Sequence, residues 1–262
     1  MQTVPASDRG LTLGVGLFET ILAVEGRLAL WEAHLDRLAR GCAALSLPPP
    51  DRTACAEAAR AALEAAGLVT GRAAVRLTWT GGDGARGLAA PSPTRPRLLA
   101  TASPAAPPLA SMVLHTSAIR RNASSPLSRL KTLSYLDNVL ARAEAIAAGA
   151  DEALLCDHAG SVACAAAANI FWIAHGELHT PALDCGVLDG VVRDVALHIA
   201  LRHGFTVREV HAPISSLLAC DGGFLTNSLQ PAVAIRSLDG TGLSAPGPAL
   251  LDLMADLRST VS

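Results

Sequence analysis

Residues 17–24, Leu-Phe-Glu-Thr-Ile-Leu-Ala-Val, form an apolar, strand-like run, and Glu25-Gly26 turns the chain back into a second short strand at 27–31. The period then changes. Leu35, Leu38, Cys42 and Leu45 recur at helical spacing over 32–45 and leave His34 and Arg37 together at i, i+3. Pro48-Pro49-Pro50 ends that helix, and Asp51 is the N-cap of an alanine-rich helix over 52–66 that stops at Gly67. Strands are predicted at 73–80 and 97–102, flanking a glycine-rich loop, 81–87, that carries Arg86. Ahead of the first strand, Asp8 to Gly16 reads as a glycine-punctuated loop without phosphate-loop spacing.

Pro104 to Pro108 is the best linker in the chain and predicts a smaller N-terminal domain, 1–107, and a larger C-terminal domain, 108–262. The second half opens with a strand at 112–116, a basic loop at 119–122 and a helix over 136–148. Short strands follow at 152–156, 161–164, 169–173 and 177–180, then a helix from Val191 toward Gly204, then strands at 206–210, 223–226 and 233–237. Helices and strands are interspersed in both halves, which predicts an α/β (α+β) fold of two lobes.

Composition narrows the chemistry. The net charge of -2 offers no basic field, so nucleic acid is not an expected partner. No apolar run is long and charge-free enough to span a bilayer, and the first residues lack the basic and apolar regions of a secretory leader. The six cysteines are scattered with no C-x-x-C pair, which points to reduced thiols in the cytoplasm and not to a disulfide framework or a zinc ribbon. One count stands out. Of 21 Lys+Arg, only Lys131 is a lysine. An amine can lose its proton and attack a carbonyl once burial or a neighbouring cation lowers its pKa, whereas a guanidinium stays charged.

Several segments, in order, carry a resemblance. They are Asp8-Arg9-Gly10 with Gly14-x-Gly16-x-Phe18-Glu19, His34-Leu35-x-Arg37-Leu38, Leu130-Lys131-Thr132-Leu133 and Gly149-Ala150-Asp151-Glu152-Ala153. Ala168-Asn169-Ile170-Phe171, Gly186-Val187-Leu188-x-Gly190-x-x-Arg193 and Leu225-Thr226-Asn227-Ser228 complete the set, which spans about residues 8–238. Together they resemble the class IV aminotransferases, the fold-type IV enzymes that use pyridoxal 5'-phosphate (PLP). Among these, the 4-amino-4-deoxychorismate lyases look most similar, with branched-chain and D-amino acid aminotransferases further off.

The resemblance implies a D-amino acid aminotransferase-like fold with the cofactor between the lobes, a homodimer, and a small amino substrate. It implies that Lys131 binds the cofactor aldehyde and later moves the substrate's α-proton. Arg37, the backbone at Val191 and Val192, and the turn at Asn227 and Ser228 are expected to hold the phosphate. Tyr135, the only tyrosine, is expected near the cofactor's phenolic oxygen, and Phe18, Arg86 and Arg121 are expected to face the substrate.

The pattern breaks at one place. Family members usually carry a glutamate five residues before the asparagine of Asn-Ile-Phe, where its carboxylate keeps the pyridine nitrogen protonated. Here that position, counted back from Asn169, is Cys164, and no carboxylate lies between Asp157 and Asn169. A neutral thiol cannot enforce a pyridinium. Transamination must store charge in the ring, whereas an elimination can expel it with a leaving group. The sequence therefore favours a lyase, leaves an aminotransferase as the alternative, and leaves a degenerate, non-catalytic member as a third reading.

Overall fold

A computed structural model describes residues 3–261. By its internal contacts the chain divides into two units. One comprises residues 1–106 together with Leu130–Ser134, and the other Pro107–Arg129 with Tyr135–Ser262. The segment that carries Lys131 thus packs with the first unit, although most of the chain around it belongs to the second.

In the first unit, helix α1 (Arg9–Leu13) precedes β1 (Gly16–Val24), β2 (Arg27–Leu28), α2 (Trp31–Ala44), α3 (Arg52–Ala66), β3 (Arg72–Thr80) and β4 (Arg97–Pro104). The strands form an antiparallel sheet in the order β2-β1-β3-β4. Helices α2 and α3 bury Leu35, Leu38, Cys42, Cys55, Ala59 and Leu63 against Leu17, Ile21, Val75 and Leu77 of the sheet. Asp51 caps α3 by accepting from the Ala54 amide, and Gly67 ends it in the left-handed conformation, as the sequence predicts. The stretch read as a loop before β1 is instead partly helical. Asp8 caps α1 through the Gly10 amide, and Gly14 closes it at φ 68°, so five residues gain a turn that no apolar period announces.

The second unit contains β5 (Ser111–Arg121), α4 (Leu136–Ala147), β6 (Glu152–Asp157), β7 (Val162–Ala165), β8 (Asn169–Ala174), β9 (Glu177–Pro181) and α5 (Val191–Arg202). β10 (Val207–Val210), α6 (Ile214–Leu218), β11 (Gly223–Thr226), β12 (Val233–Leu238), β13 (Thr241–Gly242) and α7 (Pro248–Val261) follow. Its mixed sheet runs β10-β9-β8-β11-β12-β5-β6-β7, with β13 beside β12. The β10/β9, β12/β5 and β5/β6 pairs are parallel and the others antiparallel. Two sequence expectations change here. The residues read as a basic loop, Ile119, Arg120 and Arg121, continue β5 past a register shift between Thr116 and Arg120. The terminal helix α7 buries Leu250, Leu253, Met254, Leu257 and Val261, beyond the last element the sequence reading assigned.

Candidate functional site

Lys131 is placed by backbone. The Phe18 amide donates to the Lys131 carbonyl at 2.9 Å, the Leu133 amide donates to the Gly16 carbonyl at 3.0 Å, and Leu17 bridges Thr132. Residues 130–134 therefore lie along the start of β1. This approach requires Gly16, because a Cβ there would stand 2.5 Å from the Trp79 carbonyl oxygen and 2.7 Å from Leu133. The Lys131 Nζ lies 4.2 Å from the Phe18 ring centroid, and the Arg76 guanidinium carbon lies 3.7 Å from it. Thr20 pairs with Arg76 across β1 and β3, so Phe18 and Arg76 are diagonal neighbours on one face.

Glu19 organises the charges beside this lysine. Its carboxylate is 1% exposed. It accepts from Arg37 through Nε at 2.9 Å and Nη2 at 2.5 Å, and pairs with His34 Nδ1 at 2.8 Å. The i, i+3 spacing on α2 brings His34 and Arg37 to the same carboxylate. Burial alone would raise the Glu19 pKa, but the Arg37 charge and the bonds from His34 and Arg37 outweigh it and hold the carboxyl at about 2. Burial lowers His34. Lys131 is pushed down to about 8, first by burial and then by the Arg37 charge, with Glu19 opposing and Arg76 adding a smaller push. The free base is therefore far more accessible near neutral pH than it is for an ordinary lysine. Lys131, Arg37 and Phe18 are thus brought together in the first unit, along with Glu19, His34 and Arg76, which the sequence reading left without a role.

Arg86 lies exposed in the loop after β3. That loop is pinned by Arg9, which donates to the Gly87 and Leu88 carbonyls, and by Ser7 and Arg97, which bond Asp83.

In the second unit, Cys164 sits on β7 opposite Leu155, buried among Ala141, Ala145, Ala153 and Val187. Burial raises its thiol pKa, and the Arg121 charge opposes that rise. Arg121 extends from β5 with its fork already engaged. It donates to the Gly186 carbonyl at 3.1 Å, the Ser128 carbonyl at 2.6 Å and Asn138 Oδ1 at 3.5 Å. Among the charges acting on the thiol, Arg121 has the largest effect and Glu152 opposes it.

Asparagines fix the turn that follows Cys164. Asn138 donates to the Ala166 carbonyl at 2.7 Å, and Asn227 to the Ala167 carbonyl at 3.0 Å. The Asn227 Oδ1 also accepts the Leu229 and Gln230 amides, which shapes the turn containing Ser228. Asn169 donates to the Leu188 carbonyl and so ties β8 to the segment entering α5. Helix α5 starts at Val191, after Gly190, with no side chain capping it. Its first amides, those of Val191 and Val192, are donors of the kind a helix start offers to an anion. Arg193, buried one turn in, bonds Glu209 at 2.6 Å and anchors the helix start. Tyr135 is half-buried at the entry to α4.

Over residues 16–238 the chain matches the profile of the family described as amino-transferase class IV. The protein belongs to the class IV aminotransferase family. Similar solved structures include the 4-amino-4-deoxychorismate lyase of Pseudomonas aeruginosa, 31% identical, with a TM-score of 0.88 over 99% of this chain and 96% of that one. The aminodeoxychorismate lyase of Bacillus subtilis is 28% identical over 88% of this chain and 80% of its own length. The D-alanine aminotransferase of Listeria innocua is 28% identical over 91% of this chain and 83% of its own. The mixed α/β fold is the one these class IV structures share.

Two observations show how far the residues suit a phosphorylated pyridine aldehyde. Lys131 offers a partly buried amine of lowered pKa. Thr226 Oγ1, immediately before Asn227 and Ser228, is buried without a hydrogen-bond partner, a polar atom left for something outside the chain. At Cys164, the residue expected to face the pyridine nitrogen, the fit changes character, since burial keeps this thiol neutral.

Proposed function

We propose that the protein is a PLP-dependent lyase that eliminates pyruvate from a 4-amino-4-deoxychorismate-type substrate and forms 4-aminobenzoate. Two observations, one in each unit, carry this reading: Lys131 in the first, an amine lowered to about 8, and Cys164 in the second, a neutral thiol under the influence of the Arg121 charge. The first supplies the proton acceptor that every reaction of this family needs. The second disfavours holding a protonated ring nitrogen, and an elimination depends on that least. The lyases among the relatives support the same choice.

When bound, PLP withdraws electrons from the substrate's amino-bearing carbon and weakens its C–H bond. The protein's residues do the rest. Lys131 Nζ, as the free base, takes that proton. The carbon–oxygen bond on the neighbouring ring carbon then breaks, with its electron pair going to the departing enolpyruvate. Enolpyruvate takes a proton at its methylene carbon to become pyruvate, and the ring is left aromatic. Arg37 gives the phosphate a fixed cation, Glu19 and His34 hold Arg37 in place, and the amides of Val191 and Val192 with the Asn227-Ser228 turn supply donors. Phe18 supports Lys131 through its ring face and is proposed, with Arg86, to face the substrate, whose carboxylates require cations. Tyr135 is proposed near the phenolic oxygen of the cofactor. Arg121, already bonded to carbonyls, would contribute charge near the ring.

The chain is further proposed to act in the cytoplasm as a homodimer. Its six cysteines are all unpaired, which suits a reducing compartment. No described helix is long and apolar enough to cross a membrane. The exposed stripe Leu136, Val139, Leu140 and Ile146 on α4 is the kind of apolar face that a second copy covers.

A transaminase reading draws on the D-alanine aminotransferase relative. Product analysis separates the two. Incubated with 4-amino-4-deoxychorismate, the PLP-loaded protein should release pyruvate and 4-aminobenzoate in equal amounts, and should convert D-alanine or branched-chain amino acids to keto acids slowly or not at all. Rapid keto-acid formation without 4-aminobenzoate would replace the lyase with the transaminase.

A further inference from the structure

Away from the cofactor residues, three segments of the second unit bring unlike metal-binding groups together. Asp157 ends β6, Cys185 ends a single 3-10 turn (Leu183–Cys185), and His211 follows β10. Backbone pairing assembles them. The Val162 amide donates to the Ala212 carbonyl at 2.8 Å and Ser161 bridges Pro213, which lays residues 211–213 against the β6–β7 hairpin. The Ala182 amide donates to the Val210 carbonyl at 3.0 Å, which brings the Cys185 turn to the same place. One ligand atom from each of Asp157, Cys185 and His211 lies within 4.8 Å of the others.

We propose that Asp157, Cys185 and His211 form a binding site for one divalent metal ion of borderline softness, with zinc the ion that this donor set fits best. Thiolate, imidazole and carboxylate together suit zinc, whereas calcium and magnesium favour oxygen donors alone. The Cys185 Sγ to His211 Nδ1 distance of 3.3 Å is close to the separation of two ligands on one tetrahedral ion, about 3.5 Å for zinc bond lengths.

The outer groups are already arranged. His211 Nε2 lies 2.9 Å from Asp184 Oδ1, so Nε2 carries the proton and Nδ1 faces Cys185 as an acceptor. Without a metal, the Cys185 S–H donates to Nδ1. A metal would replace that proton, which leaves to solvent, and bond to both atoms. Asp157 is 5% exposed and accepts the Ser161 amide, yet it forms no ion pair with a cation among the described residues. A buried carboxylate without a counter-charge is what an entering cation would neutralise. The exposed edge at His211 leaves a fourth position for water.

The site shares structure with the Cys164 region but not its residues. Asp157 pairs in register with Arg121, and Gly186, next to Cys185, accepts from Arg121. An ion there would staple three segments behind that arginine.

Cobalt(II) tests this on the untagged, PLP-loaded chain after dialysis. Cobalt on a thiolate gives a charge-transfer band in the near ultraviolet and d–d bands at the red end of the visible, clear of the cofactor. The site predicts one cobalt per chain with both signals, zinc displacing it, and a higher unfolding temperature with either ion. Cys185→Ser should abolish the charge-transfer band, and His211→Ala should weaken affinity at least tenfold. Cys220→Ser, which removes a thiol elsewhere, should leave binding unchanged. Failure of the wild-type chain to bind one equivalent, or a charge-transfer band that survives Cys185→Ser, would overturn the assignment. Both readouts are independent of catalysis, so they stand or fall apart from the lyase proposal.

Discussion

Replacing Glu19 by glutamine removes the one negative charge that holds both Arg37 and Lys131 in balance. The magnitude follows from the carboxyl itself. Its pKa falls from an ordinary 4.5 to about 2 in the folded chain, and at about 1.4 kcal/mol per pKa unit this is worth about 3 kcal/mol. That matches the expected cost, about 3–5 kcal/mol, of removing one partner from a buried ion pair. The sign is fixed by the direction of the shift. A depressed carboxyl stabilises the fold above pH 4.5, and the contribution is lost as pH falls through about 2. Denaturant unfolding at a series of pH values should therefore show Glu19→Gln less stable by about 3 kcal/mol at pH 7, with the gap closing on acidification toward pH 2. A second readout concerns Lys131. Glu19 is the charge that raises its pKa against burial, Arg37 and Arg76. The pH midpoint for PLP capture should therefore lie lower in Glu19→Gln than in the wild type. Parallel stability curves separated by less than about 1 kcal/mol, with an unmoved capture midpoint, would refute this account of the cluster.

Three further substitutions test other parts of the site. Arg37→Ala should weaken PLP binding by ~1.5–3 kcal/mol, the loss of a charge-assisted bond to phosphate, and an unchanged titration would remove Arg37 from the cofactor. Gly190→Ala would place a Cβ 2.0 Å from Asn169 Oδ1, so the bond from Asn169 to Leu188 must yield. A loss of about 1–3 kcal/mol in stability together with weaker PLP binding is expected, and wild-type behaviour in both would contradict the role given to the start of α5. Cys164→Glu should overpack the alanine-lined surround of β7 by ~1–3 kcal/mol without cofactor, yet gain a larger stabilisation on adding PLP and faster half-transamination of amino acids. If affinity, half-transamination and apo stability all stay unchanged, Cys164 does not face the ring.

Much of the fold was legible because local chemistry decided it. Asp51, the alanine run and Gly67 fix α3 to the residue, and the alternation of short apolar runs with Gly and Pro turns finds most strands of both units. Where the reading missed, tertiary contacts decided. Arg120 and Arg121 look like a basic loop in sequence, but pairing with Cys156 and Asp157 keeps them in a strand. Helix α1 has Leu11 and Leu13 exposed, so no hydrophobic period marks it, and it exists through the caps at Asp8 and Gly14. In the candidate site, Lys131 was visible as the single lysine, and Arg37 through the motif His34-Leu35-x-Arg37-Leu38 that carries the family resemblance. Glu19 was quoted in a motif but given no role, because its partners lie 15 and 18 residues away on another element. Only the packing of α2 on β1 reveals that it tunes both cations. The engaged fork of Arg121 was likewise unreadable, since its acceptors are backbone carbonyls.

The central claim, that Lys131 is the residue that captures the cofactor, is tested most directly by trapping. The PLP-loaded chain, reduced with borohydride, digested and mapped by mass spectrometry, should carry the pyridoxyl label on Lys131 and nowhere else. The Lys131→Arg variant, with no lysine left in the chain, should carry none and show no activity. A label on any other side chain of the wild type, or one retained by Lys131→Arg, would contradict the account.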